Sequence, residues 1–316
     1  VTSQALADIS LIAVYSAMAV YALAFIAFTF DLAKRSAPAP AVAAVASGGR
    51  TTALLERLAT DVPLPEGRTA SAAQRAAIAL TWVAWVLHVT ADVTRGFAAG
   101  RVPWANLFEF TLTATAIVVG VFLFSQFWQD LRFLGAYITG IVLVLLGLAT
   151  VNFYVEVTPL RPALQSVWLV IHVFVASLGT GFFALGAGLS IAQLLQSRRE
   201  ATGRGPRFLE TLPDAEKLEN LAYRVVLVGF VFWTFTLIAG AIWAASAWGR
   251  YWGWDTKEVW TFIIWVIFAG YIHARATRGW RGSRSAVLAI VGFAAVIFNF
   301  TIVNLFFKGL HVYSGL

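Results

Sequence analysis

Two features of this chain have residue types and spacings that could do chemistry: its histidines and one short aromatic segment. His88, His172, His273 and His311 are the four imidazoles in 316 residues, and there is no cysteine. Without thiols the chain has no route to disulfide exchange or thiolate ligation, so a metal centre falls to imidazole or to weaker ligands. The segment reads Trp248-Gly249-Arg250-Tyr251-Trp252-Gly253-Trp254-Asp255-Thr256-Lys257-Glu258, with Trp260 just beyond. Indole rings offer wide, stiff faces for offset stacking. Gly249 and Gly253 permit tight turns and close approach to a flat ligand. Arg250, Asp255, Lys257 and Glu258 set both signs of charge beside the rings. A membrane-interface belt would account for the aromatic residues, but it needs neither the glycines nor the charges. The cluster suits a large, planar, apolar molecule with a charged edge, which Arg250 or Lys257 could meet.

The elements that must position these groups are helices in lipid. The chain is 59% hydrophobic and 12% charged, with a mean hydropathy of +0.77. Uncharged runs of about 20 residues suffice to cross a hydrocarbon core of about 30 Å as helix. Only helices or closed barrels satisfy their own backbone there. The expected fold is all-α, a polytopic bundle of eight spans near residues 10–30, 76–93, 108–127, 133–154, 163–195, 225–247, 258–274 and 286–307. The fifth, as a helix of about 50 Å, overshoots the membrane and must tilt or project. The first is read as an uncleaved helix, because Lys34 and Arg35 follow it instead of preceding it. Three regions result: 1–75, the first span and a loop with an Ala/Pro/Gly-rich run from Ala37 to Gly49; 76–162, spans two to four; and 163–316, which carries the aromatic loop 248–258.

Charge placement sets an orientation. The connections 31–75, 128–132, 196–224 and 275–285 hold 17 of the 23 Lys and Arg. The opposite set holds Arg95, Arg101, Arg161, Arg250, Lys257 and Lys308. The richer set is expected to be cytoplasmic, which places both termini and the aromatic loop outside. The net charge of +7 is then a sum of basic helix flanks and not a nucleic-acid signal. His172 and His311 fall on the side of the loop, near the outer ends of spans five and eight. His273 lies about 20 Å down span seven at 1.5 Å per residue, beside Arg275 and Arg278, and cannot share a metal with the other two. His88, inside span two, is expected to be a hydrogen-bonded structural residue, and Trp82 and Trp85 to be packing. An iron porphyrin fits the planar ligand, since imidazole is a standard axial ligand for its iron.

At Trp248, Gly249, Tyr251, Trp252, Trp254, Asp255 and Glu258 the loop resembles the WWD motif of haem-handling membrane proteins. His172, His273 and Gly309-Leu310-His311 narrow the resemblance to the CcsA/ResC family. It is strong over residues 163–316 and weaker over 76–125, where Pro103, Asn106 and Glu109 echo a family loop. Residues 31–75 show none. The resemblance implies haem b held by His172 and His311, with Trp252, Trp254 and Asp255 presenting it for attachment. It implies His273 as ligand to a second haem shared with a ResB-like membrane subunit; Arg275 and Arg278 are our candidates for its propionates. The substrate would be apocytochrome c carrying Cys-X-X-Cys-His. The site would face outward from the bacterial cytoplasmic membrane, as one subunit of a haem lyase. Two other classes were weighed. A b-type electron-transfer cytochrome needs histidines paired on facing helices, and these four lie at unlike depths. A haem transporter would be expected to show internal repeats or broken helices, and no repeat is visible.

Overall fold

The computed structural model describes residues 2–36, 71–157, 165–277, 279–307, 309 and 310. The Ala37–Gly49 run, Arg278 and His311 lie outside the described residues. Every regular element described is helical. The long helices are α1 (Ser3–Ser36), α2 (Ala72–Ala99), α3 (Leu107–Ser125), α4 (Gly135–Asn152), α5 (Val167–Thr202), α6 (Ala215–Trp248), α7 (Thr256–Thr277) and α8 (Ser283–Phe300), the last continued by the short α9 (Ile302–Phe306). Eight are long and apolar enough to cross a membrane, matching the expected spans in number and order. The chain is a multi-pass membrane protein.

Local chemistry sets the helix ends. Ser71, Asn106, Ser166 and Asp214 cap helix N-termini through side-chain oxygens that accept main-chain N–H bonds. Gly100, Gly203 and Gly249 end α2, α5 and α6 in the left-handed region. The α6 helix starts ten residues before the expected 225, because Asp214 caps it and the charged residues that follow are good helix formers. The α5 helix is 36 residues long, about 54 Å at 1.5 Å per residue, so the expected overshoot is real.

The helices α1 and α2 pack along most of their length. The buried positions of α2 (Gln74, Ala77, Thr81, Ala84, His88, Ala91, Arg95, Ala98) repeat in steps of three and four. Those of α1 include Ser10, Ala17, Tyr21, Ala24, Phe28 and Asp31, on the same spacing. The alanines and serine among these positions let the two helices lie close along this seam. Ser10 Oγ donates to the Ala91 carbonyl and Ser71 Oγ to Asp31, which shows the pair to be antiparallel. The α5 and α6 helices form a second such pair, with α3 and α8 packed against α5, and α7 against α6 and α8. The most buried span is α3, and it joins the two halves.

Candidate functional site

One end of the bundle brings together the starts of α3, α5 and α7 and the ends of α6 and α8. A cavity of about 190 Å³ opens there, lined by Trp104, His172, Trp243, Tyr251, Trp252 and Lys257 among others. His172 sits on the second turn of α5. Its Nδ1 lies 2.9 Å from the Thr236 carbonyl on α6, so Nδ1 carries the proton that carbonyl accepts. The neutral tautomer this favours puts the ring's lone pair on Nε2. The ring passes directly over Gly240, where a Cβ would stand 2.8 Å from both Cε1 and Nδ1. Trp243, fully buried, lies nearly parallel to the imidazole at 5.9 Å, and Trp248 meets Trp243 edge-on at 4.8 Å. A continuous aromatic file thus runs from the loop to His172.

The loop is tied down by one carboxylate. Glu258 Oε2 accepts from the N–H groups of Gly253 (2.8 Å) and Asp255 (3.1 Å). The second bond makes half of a capping box at the start of α7. The two bonds bracket Trp254, which at φ 60° is the one non-glycine residue with positive φ among the described residues. A bulky side chain in that region is an outlier that only surrounding contacts sustain. The result projects Trp254 outward at 77% exposure, while Trp252 and the largely exposed Tyr251 border the cavity. Gly253 does allow a close approach, but its neighbour is the guanidinium of Arg250, which fills the place of a Cβ and faces Glu258 at 3.5 Å. Asp255 turns away from the cavity. Its Oδ1 accepts from Leu310 N at 3.2 Å and lies against Gly309, so the loop holds the segment just before His311.

The Pro103–Glu109 segment supports the cavity from the α3 side. Glu109 is fully buried between Arg95 (3.0 Å) and Arg101 (2.8 Å), and Arg95 also donates to the Val155 carbonyl. Two expected outer-face cations are therefore structural. Trp104 Nε1 donates to Thr113 Oγ1, which donates to Asp92. His88 lies away from the cavity, fully buried, its Nδ1 3.3 Å from the Tyr21 hydroxyl and its Nε2 without a hydrogen-bond partner. Trp82 and Trp85 pack edge-on with Phe124.

His273 stands at the other end of α7, exposed. Beside it, Arg275 does not wait for an anion. Its guanidinium bonds Glu219 and Asn220 and lies over the Tyr223 ring, and Glu219 also accepts from Gly282 N and Ser285. The structure thus brings His172 to the loop and leaves His88 and His273 apart from it. Trp243, Gly240, Thr236, Asn106, Asn299 and Asn304 were not singled out for this site by sequence reasoning. The Asp255-X-X-Glu258 spacing was a visible signal of the capping role; Gly240 and Trp243 carry none.

The fold and the site define a helical membrane protein with an aromatic cavity at one end. The cytochrome C assembly protein family matches residues 104–311, and the chain belongs to that family. Among its relatives are the cytochrome c biogenesis protein CcsA of Microcystis aeruginosa, 35% identical over 267 residues (70% of this chain, 81% of that one). The CcsA proteins of Trieres chinensis (34%, covering 71% and 81%) and Synechococcus elongatus (34%, covering 70% and 81%) are similar. Among solved structures, the cytochrome c haem lyase CcmF has the same fold, with a TM-score of 0.63 at 17% identity, over 95% of this chain and 47% of that one. Family membership assigns the chain to c-type cytochrome assembly.

Proposed function

We propose that the chain binds haem b at the cavity end of the bundle and presents it to apocytochrome c on the outer face of the membrane. The observation that carries this reading is His172. Its Nδ1 is bonded to a main-chain carbonyl, the usual arrangement for a histidine that ligates metal through Nε2, and it borders a cavity walled by indole rings. The donor set fits haem: imidazole for iron, broad aromatic faces for the porphyrin, and no thiol to compete.

Haem in this reading is cargo. His172 and His311 hold it from either side, and Asp255 keeps Gly309 and Leu310, the residues just before His311, beside the loop. Trp252 forms the inner wall, and the projecting Trp254 and Tyr251 mark the face where an incoming Cys-X-X-Cys-His segment docks. Each substrate thiol adds its S–H across one haem vinyl group, with no net oxidation, so the absence of cysteine here is no obstacle. The chain's residues supply ligation, orientation and a water-poor wall. The exposed position of His273 suits a ligand to a second haem completed by a ResB-like subunit, and the chain then acts as one part of a haem lyase. The excess of Lys and Arg in one set of loops supports a cytoplasmic position for those loops, with the cavity end outside the bacterial cytoplasmic membrane.

The experiment is maturation of a reporter c-type cytochrome in cells carrying the chain and its partner. His172→Ala and His311→Ala are expected to abolish it, and added imidazole to restore part. Normal maturation in either variant removes that residue from the site.

A further inference from the structure

Besides His172 on α5, the cavity is lined by polar residues at the start of α3 and on α7, α8 and α9. At the start of α7, Lys257 donates to Asn304 Oδ1 on α9. One turn on, Thr261 Oγ1 donates to the Lys257 carbonyl and accepts from Asn299 Nδ2 at 3.2 Å. Asn106, at the start of α3, closes the wall. Phe110, one turn after it, packs on Phe300, next to Asn299, at 5.2 Å. All five polar side chains border the cavity.

Two observations call for a ligand at this wall. Asn106 and Asn299 are 4% and 5% exposed, yet Asn106 Nδ2 and Asn299 Oδ1 have no hydrogen-bond partner. Buried amides without partners cost about 1–3 kcal/mol each, so unfilled valences bordering a cavity are expected where something else fills them. For Asn106 the assignment follows from its cap. Its Oδ1 must accept from Glu109 N, which leaves the donor for the cavity. The second observation is charge. Lys257 makes no ion pair within 4 Å among the described residues; Asp255 acts on it only through space, and the bonded partner of its ammonium is a neutral amide. The nearby Glu258 does not neutralise it, being held by two loop N–H groups and facing Arg250. Arg250 faces Glu258 at 3.5 Å and does not line the cavity, whereas Lys257 does.

We infer that Lys257 and Asn106, whose Nζ and Nδ2 are the donors on this wall, form a carboxylate subsite that receives the acidic edge of the bound ligand, with Asn304 holding the Lys257 ammonium in place. This rests on the haem reading, under which the carboxylates are the porphyrin propionates. The subsite then sets the ring's rotation, turning one edge to the α7–α8 wall while the iron meets His172.

The test compares binding of iron protoporphyrin IX and its dimethyl ester, in which both carboxylates are blocked, to the full chain in detergent. The ratio of the two affinities is read in wild type, Lys257→Gln, Lys257→Arg and Asn106→Asp, which keeps the cap on Glu109 N and removes the open donor. Taking the ratio between proteins cancels partitioning into detergent. Wild type is expected to favour the free acid by about tenfold, the size of one charge-assisted hydrogen bond. Lys257→Gln should bring the ratio near one, Asn106→Asp should lower it, and Lys257→Arg should keep most of it. Equal affinities in wild type, or an undiminished preference in Lys257→Gln, overturns the subsite while leaving His172-dependent haem binding standing. Failure of both porphyrins to bind wild type overturns the subsite together with the haem reading beneath it.

Discussion

His172 on α5 and Thr236 on α6 are joined by a single bond of 2.9 Å between imidazole Nδ1 and main-chain oxygen. It makes the backbone of one helix the orienting partner for a side chain of the next. The approach is possible because Gly240, one turn beyond Thr236, has no side chain where the ring passes. A ligand oriented by backbone has no partner side chain to lose, so its geometry is vulnerable at the glycine.

Gly240→Ala is therefore expected to push the imidazole off its position, with a Cβ 2.8 Å from two ring atoms. Haem affinity should fall about tenfold or more, the range for loss of an orienting contact to a metal ligand. Exogenous imidazole should recover the spectrum, since the cavity itself persists. A Gly240→Ala protein with unaltered haem affinity would show that the ring tolerates displacement.

Glu258 holds the loop through two N–H groups. Glu258→Ala leaves both unpaired and removes what sustains Trp254 at positive φ. A loss of about 1–3 kcal/mol is expected, with faster hydrogen exchange over residues 250–256. Glu258→Gln, which keeps an acceptor, should retain most protection. Equal exchange in the two variants would deny the carboxylate its role.

Glu109 is the counter-ion of two arginines. Glu109→Ala leaves Arg95 and Arg101 charged without it, Arg95 at 1% exposure. Removing one partner of a buried pair costs about 3–5 kcal/mol. The expected outcome is a marked drop in thermal stability in detergent, larger than for Glu258→Ala. A melting temperature within a degree or two of wild type would mean that the arginines find water.

Orientation can be checked on a chain that has no cysteine of its own. Ser246→Cys, exposed near the end of α6, should react with a membrane-impermeant maleimide from outside intact cells. Thr277→Cys, exposed at the far end of α7, should react only after lysis. The reverse pattern would invert the bundle and move the cavity to the cytoplasm.

Much of this architecture was legible in the chain. Uncharged runs of 20 residues leave lipid-spanning helix as the one economical reading, and all eight appear. Their ends were less legible, because hydropathy reports where lipid ends and not where a helix does: α6 begins at a cap, Asp214, ten residues earlier than its apolar run. The tryptophan loop was visible from composition, but its internal division was not. Nothing in the order Tyr251-Trp252-Gly253-Trp254 tells which ring turns inward, since that follows from the two bonds to Glu258. Gly240 and Trp243 were hidden for a different reason. In a helix of apolar residues, a glycine that admits a ring and an indole that stacks on it look like ordinary lipid-span composition. Arg275 looked available because it stands beside a histidine in a basic run, whereas its partner Glu219 is 56 positions away.

The central claim is that His172 ligates iron through Nε2. Electron paramagnetic resonance of the ferric, haem-loaded chain with its partner tests it most directly. The account predicts a low-spin, bis-imidazole signal that His172→Ala converts to high spin and that added imidazole restores. A low-spin signal unchanged in His172→Ala would contradict it.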